Sequence, residues 1–188
     1  MAACLLGAAC AAVALGVAAA ARRVLARRTT GGAARTDHAF RFVARGSLAA
    51  TFPLFGAWGE RAWAGPSWQP RFLHPDPPRD EEGAVFTLAR GRWSEATWVN
   101  TAFDAAAGRI QYVYVVPGVQ AALIDLRLAE GPGAATTLVE VRYRRTALAR
   151  RWNEQVRRLG VQDASASEDW ARDVNGALGS AGGPGQAG

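Results

Sequence analysis

Few residues in this chain are suited to covalent or metal chemistry. Its two cysteines, Cys4 and Cys10, both lie in an apolar N-terminus. The remainder therefore offers no thiol nucleophile, no zinc-type cysteine cluster and no disulfide framework. The two histidines are His38 and His74. His38 stands at the edge of a strand-like run and reads as solvated. His74 sits in "HPDPPRDEE" with Asp76 and Asp80. A His-x-Asp pair in a proline-rich loop supplies fewer ligands than a zinc site needs. No serine occupies a nucleophile elbow, and no glycine loop is built to cradle phosphate. No catalytic residue, metal ligand or cofactor site is assigned.

The chemistry on offer is recognition. Asn100 is flanked by Trp98, Tyr112 and Tyr114 once the strands around them are paired. An amide and two phenols in an aromatic pocket can orient a carbonyl-bearing ligand, because a buried polar group must find a partner. Glu60, Glu95 and Arg142 are the other polar candidates, and all three read as surface charges.

These residues are positioned by a succession of short β runs. "HAFRFVARGSL" from His38 reads as a first strand, and Pro53–Gly65 as one or two short helices broken at Gly56 and Gly59. Five further runs follow at 84–90, 93–101, 109–116, 119–128 and 136–145. Turn signals separate them at Gly91-Arg92, Asp104–Gly108, Pro117-Gly118 and Gly131–Gly133. Connections this short imply consecutive antiparallel hairpins rather than βαβ units. Alternation places Val139, Val141 and Tyr143 on one side of the last strand, with Ile124, Leu126 and Leu128 facing the same way in the strand before it. Pairing 126 with 139 and 124 with 141 groups these apolar residues. Pairing Asn100 with Tyr112 puts Trp98 beside Tyr114. A two-residue turn at Pro117-Gly118 would bring Asp125 onto that face, so a three-residue turn or a bulge is expected there.

The C-terminal part reads as helix. In "ALARRWNEQVRRLG", Leu148, Trp152, Val156 and Leu159 form one stripe, expected to lie across the sheet with Trp152 at its centre. "SEDWARDVNGAL" (167–178) extends it, with Ser167 as N-cap, and 179–188 reads as a disordered Gly-rich tail.

The chain has 188 residues, 49% apolar and 20% charged, enough for one domain with a core plus extensions. All 22 basic residues are arginine and the net charge is +6. They lack an interleaved exposed aromatic platform, so no nucleic-acid partner is expected. Residues 2–21 carry no charge and are followed by Arg22, Arg23, Arg27 and Arg28. A helix of that length just spans a bilayer core, and the trailing charge would keep the domain in the cytoplasm. Residues 1–36 are therefore read as a membrane anchor and linker, 37–178 as the domain. If that start is misassigned, the domain is simply cytoplasmic.

A first strand, two small helices, an antiparallel sheet and a closing helix follow helix-grip order. With "FPLFGAWGERAW", "WQPRFL", "GAVFTLARG", "ATWVNTAFD", "IQYVYVVPG" and "VEVRYRRTALA", the chain resembles an uncharacterised bacterial branch of the START / Bet v-type (SRPBCC) superfamily over about 38–160. That resemblance implies an α+β fold: a curved antiparallel sheet of six or seven strands gripped by the C-terminal helix, with a separate apolar helix at the N-terminus. It also implies that Pro53–Pro75 closes one end of a pocket, with Trp58, Trp63, Trp68 and Phe72 drawn on for the entrance. The ligand-contacting set is then Trp98, Asn100, Tyr112, Tyr114, Trp68, Phe72 and Tyr143. The expected partner is a hydrophobic small molecule or lipid. The alternatives are a polyketide cyclase- or dehydratase-like enzyme and a protein-binding helper domain. The chain departs from the pattern in the closing helix, where Gly160 is followed by a polar break before the helix resumes.

Overall fold

The structure, a computed structural model, describes residues 32–89 and 95–181. The expected anchor at 2–21, the Gly91-Arg92 turn and residues 182–188 of the expected tail lie outside the described residues. Among the described residues, no helix is long and apolar enough to cross a membrane.

Seven described strands form one antiparallel sheet: β1 (Arg35–Ala44), β2 (Arg71–His74), β3 (Val85–Ala89), β4 (Glu95–Asp104), β5 (Arg109–Val116), β6 (Gln120–Glu130) and β7 (Thr137–Ala147). Their order is β1-β7-β6-β5-β4-β3-β2, so β2 to β7 run as a meander and β1 closes onto β7. Between β1 and β2 come a one-turn helix, α1 (Leu48–Thr51), and the 3₁₀ turns Phe52–Phe55 and Gly59–Ala62. The Ser47 hydroxyl caps α1 by accepting from the Ala50 N–H at 3.3 Å. After β7 come a 3₁₀ turn (Arg150–Trp152), α2 (Asn153–Ala164) and α3 (Ser167–Ala181). Residues 179–181, expected to begin the tail, complete α3.

Alternation sets the faces as expected. Asn100 pairs with Tyr112 and Trp98 with Tyr114, and Val116 pairs with Gln120 across a three-residue turn at 117–119. Gly118 carries that turn at φ 69°, which few other residues adopt. The β6–β7 register differs from expectation by two residues. Leu126 faces Val141 and Leu128 faces Val139, because β6 runs to Glu130 and the loop spans 131–136. A shift of two keeps every side chain on its face, so the apolar pattern alone could not distinguish the registers.

The closing helix is corrected more substantially. The stripe Leu148–Trp152–Val156–Leu159 does not cover the sheet. Val156 and a half-buried Trp152 form a satellite cluster with Ala34 and Ala147, and Leu148 is exposed. The helix that grips the main core is α3, through Val174 and Trp170. It is stitched along β1. The Ser167 hydroxyl donates to the Arg41 carbonyl at 2.7 Å, and the Asn175 side chain accepts from Arg45 N–H and donates to the Val43 carbonyl. Gly160 lies inside α2. A Cβ there would stand 2.6 Å from Thr36 Cγ2, so glycine permits the close approach of α2 to β1. The expected polar break after Gly160 falls at Ser165-Ala166, between α2 and α3.

Candidate ligand-binding cavity

Between the sheet, the Gly59–Ala62 turn and the α2–α3 junction lies a cavity of about 630 Å³. Strand parity builds its floor. One cross-strand row runs Phe86, Trp98, Tyr114, Ala122, Arg145, and the next runs Asn100, Tyr112, Ile124, Tyr143. Ala122 is the small member of the first row. It leaves room for the Arg145 guanidinium, which donates from Nη1 to the Tyr114 hydroxyl oxygen. Arg145 also grips Asp163 of α2 with two hydrogen bonds, of 2.6 and 2.7 Å. Both side chains are more than nine-tenths buried, and the guanidinium lies 4.7 Å from the Tyr143 ring centroid. Burial works to lower the Arg145 pKa, yet the Asp163 carboxylate and neighbouring phenols hold it above the usual arginine value.

The opposite wall comes from the turn Gly59–Ala62. In a 3₁₀ turn residues i and i+3 eclipse, and Glu60 and Trp63 both line the cavity. The turn is fixed from behind by Asp80, whose carboxylate accepts from the N–H groups of Trp58 and Gly59 at 3.1–3.4 Å. No Cβ would fit at Gly56 or Gly59: one would stand 2.0 Å from Asp80 Oδ2 and the other 1.8 Å from the Pro53 carbonyl oxygen. Glu60 is thus held on a rigid turn and is 7% exposed. Burial pushes the Tyr112 and Tyr143 phenols up, and the Glu60 charge pushes both further, while Arg145 opposes the shift at Tyr143. Both phenols stay protonated at neutral pH. Tyr112 donates to the Phe55 carbonyl, which ties the sheet to the short-helix segment. Trp170 of α3 completes the wall, 4.9 Å from Trp63 and 6.4 Å from Tyr143 between ring centroids.

Of the seven residues expected to contact ligand, five line this cavity: Trp68, Trp98, Tyr112, Tyr114 and Tyr143. Trp68 is held there by a 2.8 Å hydrogen bond from Nε1 to the Ala57 carbonyl. Asn100 and Phe72 are not on the wall. Asn100 is fully buried, and its amide donates to the Glu81 carbonyl at 3.1 Å while its backbone bonds Gly83 and Ala84. It fastens the loop before β3. Phe72 packs between Trp58 and Phe86. Trp58, drawn on for the entrance, is half exposed and stacks with Arg61. Glu60, read as a surface charge, is buried on the wall, whereas Glu95 and Arg142 are exposed ion-pair partners of Arg71 and Asp37. Sequence reasoning missed Arg145, Trp170 and the role of Glu60. Arg145 has the parity of Val139, Val141 and Tyr143, the signal by which it could have been found. Among the described residues, no group of three or more His, Cys, Asp or Glu side chains could hold a metal ion.

A curved seven-stranded antiparallel sheet, paired short helical turns and a C-terminal helix packed on the sheet make this the helix-grip fold of START / Bet v-type (SRPBCC) proteins. No protein-family model matches the chain, and no curated protein matches it in sequence. Solved structures match its fold. Ara h 8.0201 is 12% identical with a TM-score of 0.56, over 78% of this chain and 99% of that one. Norcoclaurine synthase from Thalictrum flavum, in complex with dopamine and hydroxybenzaldehyde, is 7% identical with a TM-score of 0.58, over 79% and 88%. An uncharacterised protein from Rhizobium leguminosarum is 12% identical with a TM-score of 0.52, over 79% and 97%. At these identities the likeness is one of fold.

Proposed function

We propose that this domain binds a hydrophobic small organic molecule in the cavity between the sheet and α3. The carrying observation is the cavity itself: about 630 Å³, walled by the rings of Trp63, Trp68, Trp98, Tyr112, Tyr114, Tyr143 and Trp170. That volume lies within the range of roughly 300–1,000 Å³ common to small-molecule sites, and a filled core would have favoured the protein-binding reading. A protein of this fold, norcoclaurine synthase, holds two small aromatic molecules, which supports the same scale of ligand here. Tethering of the domain to a membrane through residues 2–21 is part of the proposal and rests on the sequence of that run. Native mass spectrometry of protein purified from its host identifies any retained ligand, and titration with the neutral dye Nile red measures access. The expected result is saturable one-to-one binding, weakened by Ala64→Trp, which fills part of the cavity. Absence of both retained ligand and dye binding would overturn the proposal.

A second reading is favoured by one observation, the buried Glu60 carboxylate beside protonated Tyr112 and Tyr143. Such a group can accept a proton, as a cyclase or dehydratase requires. Recovery of the same retained molecule, chemically unchanged, from wild type and Glu60→Gln would leave binding as the function. A different molecule accumulating in the variant would favour catalysis.

A further inference from the structure

We infer that the Tyr143 hydroxyl is the cavity's hydrogen-bond donor to its ligand, which selects a neutral molecule carrying a carbonyl oxygen on an apolar body. The inference rests on the cavity being a ligand site and specifies what that site recognises. Tyr112, Tyr114 and Tyr143 all line the cavity, and each phenol has one proton to donate. The protein itself engages two of the hydroxyls. Tyr112 donates to the Phe55 carbonyl, and the Tyr114 oxygen accepts from Arg145 Nη1 and Gln120 Nε2. The Tyr143 hydroxyl makes no hydrogen bond to any described residue; its contacts are made by the ring, with the Arg145 guanidinium 4.7 Å from the centroid and Trp170 edge-on at 6.4 Å. Parity with Val139 and Val141 keeps Tyr143 on the inward face, yet those two are sealed in the core while Tyr143 is only half-buried. A water can serve such a hydroxyl in the empty cavity, and a ligand that displaces the water must replace its bond or lose affinity. The group offers a donor, not an acceptor's charge. Burial keeps the phenol protonated through the neutral range, against the lowering effect of Arg145. The same guanidinium lies over the ring face and draws electron density from it, which strengthens the O–H as a donor. The matching acceptor is neutral. Arg145, the cation among the described lining residues, already donates two hydrogen bonds to the Asp163 carboxylate. A buried ligand carboxylate would lack a counter-ion of its own and keep its desolvation cost.

Three probes of similar size test this: 4-phenylbutan-2-one, its hydrocarbon isostere (3-methylbutyl)benzene, and 4-phenylbutyrate, each titrated into the full chain by tryptophan fluorescence. Tyr143→Phe should weaken the ketone by about five- to tenfold, the worth of one neutral hydrogen bond, and leave the hydrocarbon within about twofold. In wild type the carboxylate should bind more weakly than the ketone. Equal changes for ketone and hydrocarbon, or a carboxylate that binds tightest, would overturn the inference and leave the cavity reading standing. If none of the three binds, the cavity reading falls and takes the inference with it. Infrared spectroscopy of the carbonyl-labelled ketone gives a second readout. Its C=O stretch in the wild-type complex should lie below the value in hexane and return toward that value in Tyr143→Phe. A lowered stretch that persists in the variant would place the donor elsewhere and overturn the assignment to Tyr143. A hexane-like stretch in wild type would overturn it even if Tyr143→Phe failed to fold.

Discussion

Arg145 and Asp163 show how strongly one residue's worth depends on its partner. Removing one member of a buried pair leaves the other charge stranded, which costs about 3–5 kcal/mol. Asp163→Ala should therefore lose that much stability in urea unfolding; a loss below about 1 kcal/mol would mean that water already screens the pair. Asn100 gives a contrasting expectation. Its amide serves the Glu81 carbonyl and not the cavity, so Asn100→Ala should cost about 1–3 kcal/mol of stability and leave Nile red affinity unchanged. Weakened dye binding with unchanged stability would return it to the site. Asp80 brings a pH dependence. Burial raises its pKa, against the lowering effect of the backbone N–H groups of Trp58, Gly59 and Ala57. Its folded-state pKa thus exceeds the unfolded one, and the folded state holds the proton more tightly. The contribution to stability is present below the unfolded carboxylate pKa and is lost as pH rises through the folded value. The difference in stability between wild type and Asp80→Asn should fall across that window; a difference that rises with pH would refute the assignment. Parity made Trp98, Tyr112, Tyr114 and Tyr143 legible from the sequence, and Arg145 was equally within reach. Glu60 was not, because three-residue periodicity over a four-residue turn leaves no pattern to read.

Strands were the legible elements and helices the deceptive ones. Each hairpin carries its own evidence, in period-two alternation and glycine-marked turns, so the order of β3 to β7 followed from adjacent residues, whereas the β1–β7 pairing and the short β2 did not. The C-terminal helices carry conflicting evidence. The stripe through Trp152 and Val156 is regular, but it buries only against Ala34 and Ala147. The gripping stripe mixes small and large residues, Ala166, Trp170, Ala171, Val174 and Leu178, with Asn175 and Ser167 serving β1. Periodicity reports that a helix has an apolar side; which surface meets that side is a tertiary fact. Trp170 contacts Phe40, Phe55, Trp63 and Tyr143. Trp170→Ala should accordingly cost about 3 kcal/mol or more, toward the range of aromatic truncations in cores, and should open the cavity wall. Trp152→Ala should cost clearly less. Equal losses in parallel urea titrations would mean that α2 and α3 share the gripping role.

For the molecule as a whole, the sequence of residues 2–21 bears on where the domain works. If that run tethers it, the full chain should fractionate with membranes while a version beginning at Ala34 stays in the supernatant; identical partitioning would remove the tether from the proposal. The pairing of β1 with β7 has a different consequence, for the order in which the molecule can be made. Ala44 of β1 waits for Thr137 of β7, about ninety residues later in the chain. At a synthesis rate of roughly 5–20 residues per second, that is about 5–20 s during which Phe40 and Phe42 have no sheet to join. The meander β2–β7 can form as it emerges, one hairpin after another, but the strand made first is fixed last. A nascent chain of this protein therefore carries an exposed apolar strand while about ninety further residues are made, and an unpaired edge of that kind is where a chaperone would be needed.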